Sequence, residues 1–183
     1  MAPSDENECR QMLYTGFTLD LPAAVRYPRG GGAGVDVMKQ MEAITVGKAE
    51  IRRQGKRVAI LAFGSVVYPC HEVGDIIDAT VVNMRFVKPL DESMIDEICS
   101  NHEFVITVEE NVIQGGAGSA VNEYIAENDI EVKVYNCGLP DRLIPHGSQD
   151  DMLKEAGLTK DGILDFIESH IKLTVIENTA KTA

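Results

Sequence analysis

The sequence predicts an α/β fold, a three-layer α/β/α sandwich built on a mainly parallel, five-stranded mixed sheet. From residue 50 onwards, short apolar runs alternate with segments of helical periodicity, and this alternation is typical of strand–helix–strand units with parallel strands. Residues 58–64 form one continuous apolar run that ends in glycine. Such a run indicates a central strand that helices cover on both faces, because both of its faces are apolar.

The other elements follow this alternation in order. Besides the central run, we predict strands at residues 50–54, 79–84, 103–108 and 131–135, and helices at residues 66–77, 92–99, 119–127, 150–155 and 161–172. Pro69 stands in the first turn of its helix, where proline is tolerated, and Asp91 is placed as a helix N-cap. The small and polar residues at 174–183 are expected to form a flexible tail.

The first 30 residues predict one helix and one short strand. Ser4, followed by acidic residues, is typical of a helix start, and Gly16 is typical of a helix end. Residues 25–27 alternate apolar and polar side chains, as in a strand. A lone helix and strand do not bury their own apolar faces. We therefore expect residues 1–30 to be either the remnant of a preceding domain or an arm that packs on a partner, residues 31–48 to be a linker, and residues 49–173 to be a C-terminal domain.

Composition and charge narrow the classes of function. The chain of 183 residues has a net charge of −12, with 44% hydrophobic and 25% charged residues. This charge argues against nucleic acid and against an anionic membrane as partners, because both attract basic surfaces. A small phosphorylated substrate is not excluded, since one or two local arginines are enough to bind it.

The sequence carries no signal for export or for insertion into a membrane. No apolar run approaches the roughly 20 residues of a membrane span, and the polar, acidic N-terminal residues predict no signal peptide. The expected compartment is the cytoplasm. The four cysteines are scattered, with no CxxC pair and no histidine at metal-ligand spacing, so we predict reduced, partly buried thiols and no metal site.

Arg29 is the first candidate binding residue. It stands between Pro28, which fixes φ, and the glycines at 30–32, which let the backbone approach a ligand closely. A guanidinium held in this way suits a phosphate or a carboxylate, because its planar fork donates two parallel hydrogen bonds. The alternative is an arginine in a surface linker. Strand alternation sends the side chain of Arg26 elsewhere, so we expect at most a supporting role for it.

Glu109 and Glu110 end a predicted strand, at the edge where open α/β sheets place their sites. Adjacent residues of a strand point to opposite faces, so the two glutamates are not a paired acid and base. We expect one of them to cap a helix or to pair with a basic residue. Both remain candidates for lining a site or an interface.

A glycine-rich turn and a histidine complete the candidates. Gly115 and Gly116 begin a turn at residues 115–118 that follows a strand and opens a helix. Its amides either cradle an anion or let the helix pack closely on the sheet. His146 lies in a polar loop and is the histidine best placed for a site. These residues predict a site-bearing α/β domain and no particular reaction.

Six sequence motifs, taken together and in this order, resemble one known family. They are DENECRQMLYTG at residues 5–16, AVRYPRG at 24–30, MRFVKPLD at 84–91, TVEEN at 107–111, GGAGS at 115–119 and GLPD at 138–141. The combination resembles the family of 1-deoxy-D-xylulose-5-phosphate synthases over roughly residues 3–172. Generic transketolases and the β subunits of 2-oxo acid dehydrogenases share some of the glycines but not this set of motifs.

The resemblance implies the C-terminal portion of a thiamine diphosphate enzyme of the transketolase superfamily. That family condenses pyruvate with glyceraldehyde 3-phosphate, releasing carbon dioxide, in the synthesis of isoprenoid, thiamine and pyridoxal precursors. Residues 1–30 then match the end of a pyrimidine-binding domain, and residues 49–173 match a transketolase C-terminal domain. By the same resemblance, Arg29 holds the phosphate of glyceraldehyde 3-phosphate.

The resemblance also implies what this chain lacks. The ligands of thiamine diphosphate and Mg²⁺ are expected upstream, outside this chain. We therefore expect no catalytic residue in it and no activity of the chain alone, whereas the complete enzyme is expected to be a homodimer. Two alternatives stay open: a non-catalytic dimerisation or interaction module, and a part similar to the β subunit of a 2-oxo acid dehydrogenase.

Overall fold

A five-stranded sheet lies at the centre of the computed structural model, which describes residues 1–172. The strands are β1 (Glu50–Arg53), β2 (Val58–Phe63), β3 (Thr80–Asn83), β4 (Phe104–Val112) and β5 (Lys133–Leu139), in the order β1-β3-β2-β4-β5. Strands β3, β2, β4 and β5 are parallel, and β1 runs antiparallel to β3 at one edge. The predicted mixed, mainly parallel sheet is confirmed.

Helices cover both faces of the sheet. They are α1 (Glu6–Thr18), α2 (Val67–Ile77), α3 (Glu92–Asn101), α4 (Ala117–Glu127), α5 (Gln149–Glu155) and α6 (Lys160–His170). The side chains of α2 and α6 pack on one face of the sheet, with α5 beside them, and those of α3 and α4 pack on the other. Every residue of β2 is buried, as its continuous apolar run predicts. The three-layer sandwich is therefore confirmed, whereas the predicted tail at 174–183 lies outside the described residues.

The helix α1 differs from its prediction at both ends. Its N-cap is Asp5 rather than Ser4, because Asp5 Oδ1 accepts the amide of Glu8 at 2.8 Å. At the other end the helix continues past Gly16 to Thr18. Gly16 does not adopt the left-handed conformation of a glycine C-cap, and the amide of Leu19 closes the last turn instead by donating to the carbonyl of Thr15.

The strand predicted at residues 25–27 does not form. This segment is paired only with the first residue of the chain: the amino group of Met1 donates to the carbonyl of Ala24 at 2.8 Å, and the amide of Arg26 donates to the carbonyl of Met1 at 2.9 Å. A strand needs a neighbouring strand to continue its ladder of hydrogen bonds. Within residues 1–172 this segment has no such neighbour.

Side chains of α1 hold the segment predicted as a linker, and they satisfy four of its backbone amides without regular secondary structure. The linker amides donate to α1 side chains in four places: Gly34 to Glu6 (2.7 Å), Met38 to Asn7 (2.9 Å), Glu42 to Gln11 (2.6 Å) and Ile44 to Thr15 (2.8 Å). In the opposite direction, Arg10 donates to the carbonyl of Lys39 at 3.0 Å. The polar side of α1 is therefore a binding surface for the linker.

A buried carboxylate attaches α1 to the sheet. Glu8 is only 5% exposed, and both of its oxygens accept hydrogen bonds from the side-chain amide of Asn83, each at 2.9 Å. Arg85 donates to the same carboxylate at 2.7 Å. Since Asn83 ends β3, these bonds place α1 beside the carboxyl end of the sheet.

Among residues 1–172, no helix is both long enough and apolar enough to cross a membrane.

Candidate functional site

A cleft of about 450 Å³ lies beside the carboxyl ends of β4 and β5, at the edge of a parallel sheet where ligands usually bind. It runs between the segment around residue 29 and the loop that joins β5 to α5. It brings together three of the residues that the sequence singles out, namely Arg29, Glu110 and His146. Its other lining residues are Pro28, Leu139, Ile144, Gly147, Gln149, Met152 and Leu153.

Arg29 lies in this cleft with an exposed guanidinium. Within residues 1–172 its side chain forms no ion pair and no hydrogen bond with the protein. One side chain approaches the exposed backbone beside it, because a Cβ atom on Gly30 would overlap the side chain of Gln149 at the start of α5. The chain thus presents an unpaired cation next to a point of contact with α5.

Arg26 is occupied by a contact within the protein. Its Nη2 donates to the backbone carbonyl of Glu110 at 2.6 Å. This bond ties the segment before Arg29 to the end of β4. Arg26 therefore positions the segment that carries Arg29, while its own guanidinium points at the protein backbone.

Glu109 and Glu110 point to opposite sides of β4, as strand alternation predicts. Glu109 is 3% exposed, and its carboxylate faces the start of α4. Glu110 lines the cleft, where its Oε2 accepts a hydrogen bond from the hydroxyl of Ser65 at 3.0 Å.

The glycine-rich turn at residues 115–118 has no free amide. The amides of Ala117 and Gly118 donate to the two oxygens of Glu109 at 2.7 and 2.8 Å. Those of Gly115 and Gly116 donate to the hydroxyl of Ser119 and the carbonyl of Ile113. A carboxylate of the protein thus occupies the place that an external anion would take at this helix N-terminus. The geometry favours a capped, closely packed turn.

His146 is exposed in the loop between β5 and α5 and lines the cleft with Arg29. Its ring forms no hydrogen bond within residues 1–172. Two of the other histidines are held in structural contacts. His102 bonds Thr80 at 2.7 Å, and the ring of His170 stacks on Phe166 with centroids 4.4 Å apart.

The cysteines are not suited to nucleophilic chemistry. All four are free, and Cys70, Cys99 and Cys137 are buried, as predicted for reduced thiols. Burial raises the pKa of Cys137 to about 12 and, together with the nearby Asp96, that of Cys99 to about 11. Because the thiolate is the reactive form, these thiols are inert near neutral pH.

A second and larger cavity, of about 730 Å³, opens on the apolar side of α1. Its walls carry large side chains that stay exposed: Leu13 (50%), Phe17 (88%) and Tyr27 (58%). We call this surface the α1 groove. Sequence reasoning indicated that this helix does not bury its own apolar face but predicted no groove, although Cys9, Leu13 and Phe17 follow one another at a spacing of four residues.

Comparison with protein families places the whole sheet in one of them. Residues 47–163 match the family described as "Transketolase, C-terminal domain". The chain is 56% identical to the 1-deoxy-D-xylulose-5-phosphate synthase of Nitrosomonas europaea over 94% of its own length and 28% of that protein. It is 52% identical to the corresponding synthase of Nitrosococcus oceani over 100% of its length and 29% of that protein.

A solved structure shares the fold. It is described as "Split gene transketolase, inactive beta4 tetramer", and it superposes with a TM-score of 0.82 at 25% sequence identity. The superposition covers 94% of this chain and 57% of that one.

The predicted resemblance to 1-deoxy-D-xylulose-5-phosphate synthases is thereby confirmed. The chain spans a little over a quarter of the length of the curated relatives that it matches. The family match extends over more than half of the chain and includes all five strands of the sheet. The chain therefore belongs to the family of transketolase C-terminal domains.

Proposed function

We propose that this chain supplies the C-terminal portion of a 1-deoxy-D-xylulose-5-phosphate synthase, a transferase that condenses pyruvate with glyceraldehyde 3-phosphate with loss of carbon dioxide. The observation that carries this proposal is the unpaired guanidinium of Arg29 in the cleft, on a sequence motif of that family. The high identity to such synthases along nearly the whole chain supports it. The same identity disfavours a β subunit of a 2-oxo acid dehydrogenase.

In this proposal Arg29 binds the phosphate of glyceraldehyde 3-phosphate. A guanidinium forms two parallel hydrogen bonds with a phosphate, and the phosphate is remote from the aldehyde carbon that reacts. Binding at this point orients the aldehyde and contributes to catalysis through position alone. Arg29 transfers no proton, because a guanidinium stays protonated near neutral pH.

The residues described here do not fit thiamine diphosphate and Mg²⁺. Residues 1–172 bring together no group of three or more histidine, cysteine, aspartate or glutamate side chains that would hold a metal ion. The amides of the turn at residues 115–118 are already bonded within the protein. We therefore propose that another part of the protein binds the cofactor, and that this chain is inactive alone.

We further propose that the chain associates through the α1 groove, and that the complete enzyme is a homodimer. The exposed apolar side chains of the groove support this, because isolated chains rarely expose such a surface without a partner. The solved chain with the same fold is described as an inactive tetramer of β subunits. The groove also favours the second candidate function, a non-catalytic interaction module.

The proposal is tested by complementation. The chain is assayed alone and mixed with the upstream part of the Nitrosomonas europaea synthase, with pyruvate, glyceraldehyde 3-phosphate, thiamine diphosphate and Mg²⁺ present. We expect no product from either part alone and product from the mixture. Turnover by this chain alone would contradict the proposal. A mixture that forms a complex but no product would favour the interaction module.

A further inference from the structure

The cleft beside Arg29 is built from two distant parts of the chain. Arg29 comes from the segment before the predicted linker, and another part of the lining comes from the loop between β5 and α5, which carries His146. The contact of Gln149 with Gly30 closes the gap between the two parts. A ligand held by Arg29 therefore lies next to a wall that belongs to the C-terminal domain.

The character of that wall suits a phosphorylated molecule. Leu139, Ile144, Met152 and Leu153 provide apolar surface in the cleft, which suits the carbon chain of such a molecule. An imidazole always carries at least one N–H donor. Since the ring of His146 has no hydrogen-bond partner within residues 1–172, its donor is available for a ligand.

Two acidic groups at or near the cleft accept hydrogen bonds from the protein. The carboxylate of Glu110 accepts the hydroxyl of Ser65, and Asp151 at the start of α5 accepts the hydroxyl of Ser148 at 2.6 Å. Arg26 is committed to the carbonyl of Glu110. Among the described residues that line the cleft, Arg29 and His146 are thus the charged or ionisable side chains without a partner in the protein.

We propose that His146 is a second phosphate-binding residue: it donates a hydrogen bond to the phosphate that Arg29 holds, from the part of the cleft that the loop between β5 and α5 supplies. The inference rests on the proposed function and extends it, because it makes the C-terminal domain part of the substrate site. The ligand class is a phosphate monoester of a short polyol or aldehyde. Arg29 contributes charge and a bidentate fork, and His146 contributes a single directed donor.

The test uses the full chain and glycerol 3-phosphate, an unreactive phosphate monoester, with glycerol as the uncharged control ligand. Binding is followed by NMR titration, with the side-chain signals of His146 and Arg29 as reporters. We expect His146→Ala to raise the dissociation constant about tenfold, the usual effect of losing one hydrogen bond to a charged group. His146→Gln keeps an N–H donor and should stay within about threefold of the wild type.

Matched controls separate binding from folding. His71→Ala removes a partly exposed histidine on α2, away from the cleft, and should leave the dissociation constant unchanged. An equal effect of His146→Ala and His146→Gln, or an effect of His146→Ala below about twofold, would overturn the inference. So would the absence of saturable, phosphate-dependent binding by the wild-type chain.

Failure of this inference is distinguishable from failure of the proposed function. If Arg29→Ala weakens binding and His146→Ala leaves the dissociation constant unchanged, only the role of His146 is overturned. Intact phosphate binding with no product in the complementation assay overturns the proposed function and leaves the role of His146 standing. The two experiments therefore report on the two claims independently.

Discussion

The carboxylate of Glu109 lies against the backbone of Gly118, whose amide donates to its Oε1 at 2.8 Å. A side chain at position 118 would collide with Thr107 and Asn136, so a glycine is required for α4 to pack this closely on β4 and β5. The next residue of the strand, Glu110, faces the cleft instead. Two adjacent glutamates therefore serve different purposes, one for the helix and one for the site wall.

This relationship predicts that Glu109→Gln destabilises the fold. The amide group retains at most one acceptor oxygen where two backbone amides now donate. It also loses the negative charge at the N-terminus of α4, which the helix dipole favours. We expect the free energy of unfolding to fall by about 2 kcal/mol, measured by urea denaturation.

The matched control is the same substitution at the neighbouring position. Glu110→Gln affects a half-buried carboxylate that accepts one hydroxyl, so its effect on the free energy of unfolding should stay below about 1 kcal/mol. If Glu110→Gln destabilised the protein as much as Glu109→Gln, the capping role of Glu109 would be wrong.

Glu8 leads to a second prediction, concerning the attachment of α1. Its buried carboxylate accepts hydrogen bonds from Asn83 and Arg85, so Glu8→Gln leaves the guanidinium of Arg85 with one fewer anionic partner. Because Arg85 keeps a second carboxylate partner, Glu50, the lost hydrogen bonds to the Glu8 charge set the effect, and we expect the free energy of unfolding to fall by about 2 kcal/mol, measured by urea denaturation. Hydrogen exchange should quicken in α1 more than in β2. The exposed Glu97→Gln on α3 should change the free energy by less than about 0.5 kcal/mol.

The sheet and its helices were predictable from sequence because they rest on local patterns. The apolar run at residues 58–64 and the cap at Asp91 each identify an element from a few neighbouring residues. The contacts of α1, by contrast, were not predictable. In the sequence, its polar residues, such as Gln11 and Thr15, have the pattern of a helix face that is exposed to solvent. Their partners are linker amides about 30 positions away, and no local pattern records a contact of that range.

The site was predictable only in its parts. Arg29 and His146 were recognisable as candidates by their own neighbours, but their meeting in one cleft depends on how the loop after β5 folds back. The turn at residues 115–118 left two interpretations open for the same reason. The choice between them depends on the position of the Glu109 carboxylate, to which the amides of Ala117 and Gly118 donate.

Asp91 carries a prediction about pH. Burial alone would raise its pKa, but hydrogen bonds from Lys48, Ser93 and two backbone amides outweigh burial, and the pKa of Asp91 lies below its ordinary value. A carboxylate whose pKa is lowered by folding stabilises the folded state, and this stability is fully present above the ordinary aspartate pKa of about 3.9. It is lost as the pH falls from there through the pKa that Asp91 has in the folded protein. Asp91→Asn should therefore destabilise the protein at neutral pH, and its difference from the wild type should shrink below about pH 4.

The measurement is urea denaturation of both proteins at neutral pH and at about pH 3.5, within the window where the contribution is lost. Other carboxylates titrate in both proteins, so their effects cancel in the difference. Asp141→Asn, at an exposed position, is the control and should differ from the wild type equally at both pH values. A difference for Asp91→Asn that did not change with pH would contradict the role of its charge.

The α1 groove predicts how the chain associates. Phe17 is 88% exposed in the groove, and Leu143 is 96% exposed outside it. If copies of the chain meet through the groove, Phe17→Ser should weaken self-association about tenfold or more, the scale of a buried aromatic anchor at an interface. Leu143→Ser, which removes a similarly exposed apolar side chain, should leave association unchanged. Sedimentation equilibrium measures both, and equal behaviour of the two variants would exclude the groove as the interface.

Arg29 carries the prediction closest to the chemistry. In the complemented enzyme, Arg29→Ala should raise KM for glyceraldehyde 3-phosphate by about a hundredfold, because it removes both hydrogen bonds of a bidentate pair with the phosphate. KM for pyruvate, which has no phosphate, should change by less than about threefold. Arg26→Ala is the neighbouring control: it loosens the segment through the carbonyl of Glu110 and should affect both substrates to a similar, smaller extent. Equal increases for the two substrates in Arg29→Ala would contradict phosphate recognition, whereas an effect confined to the phosphorylated substrate would assign the guanidinium to it.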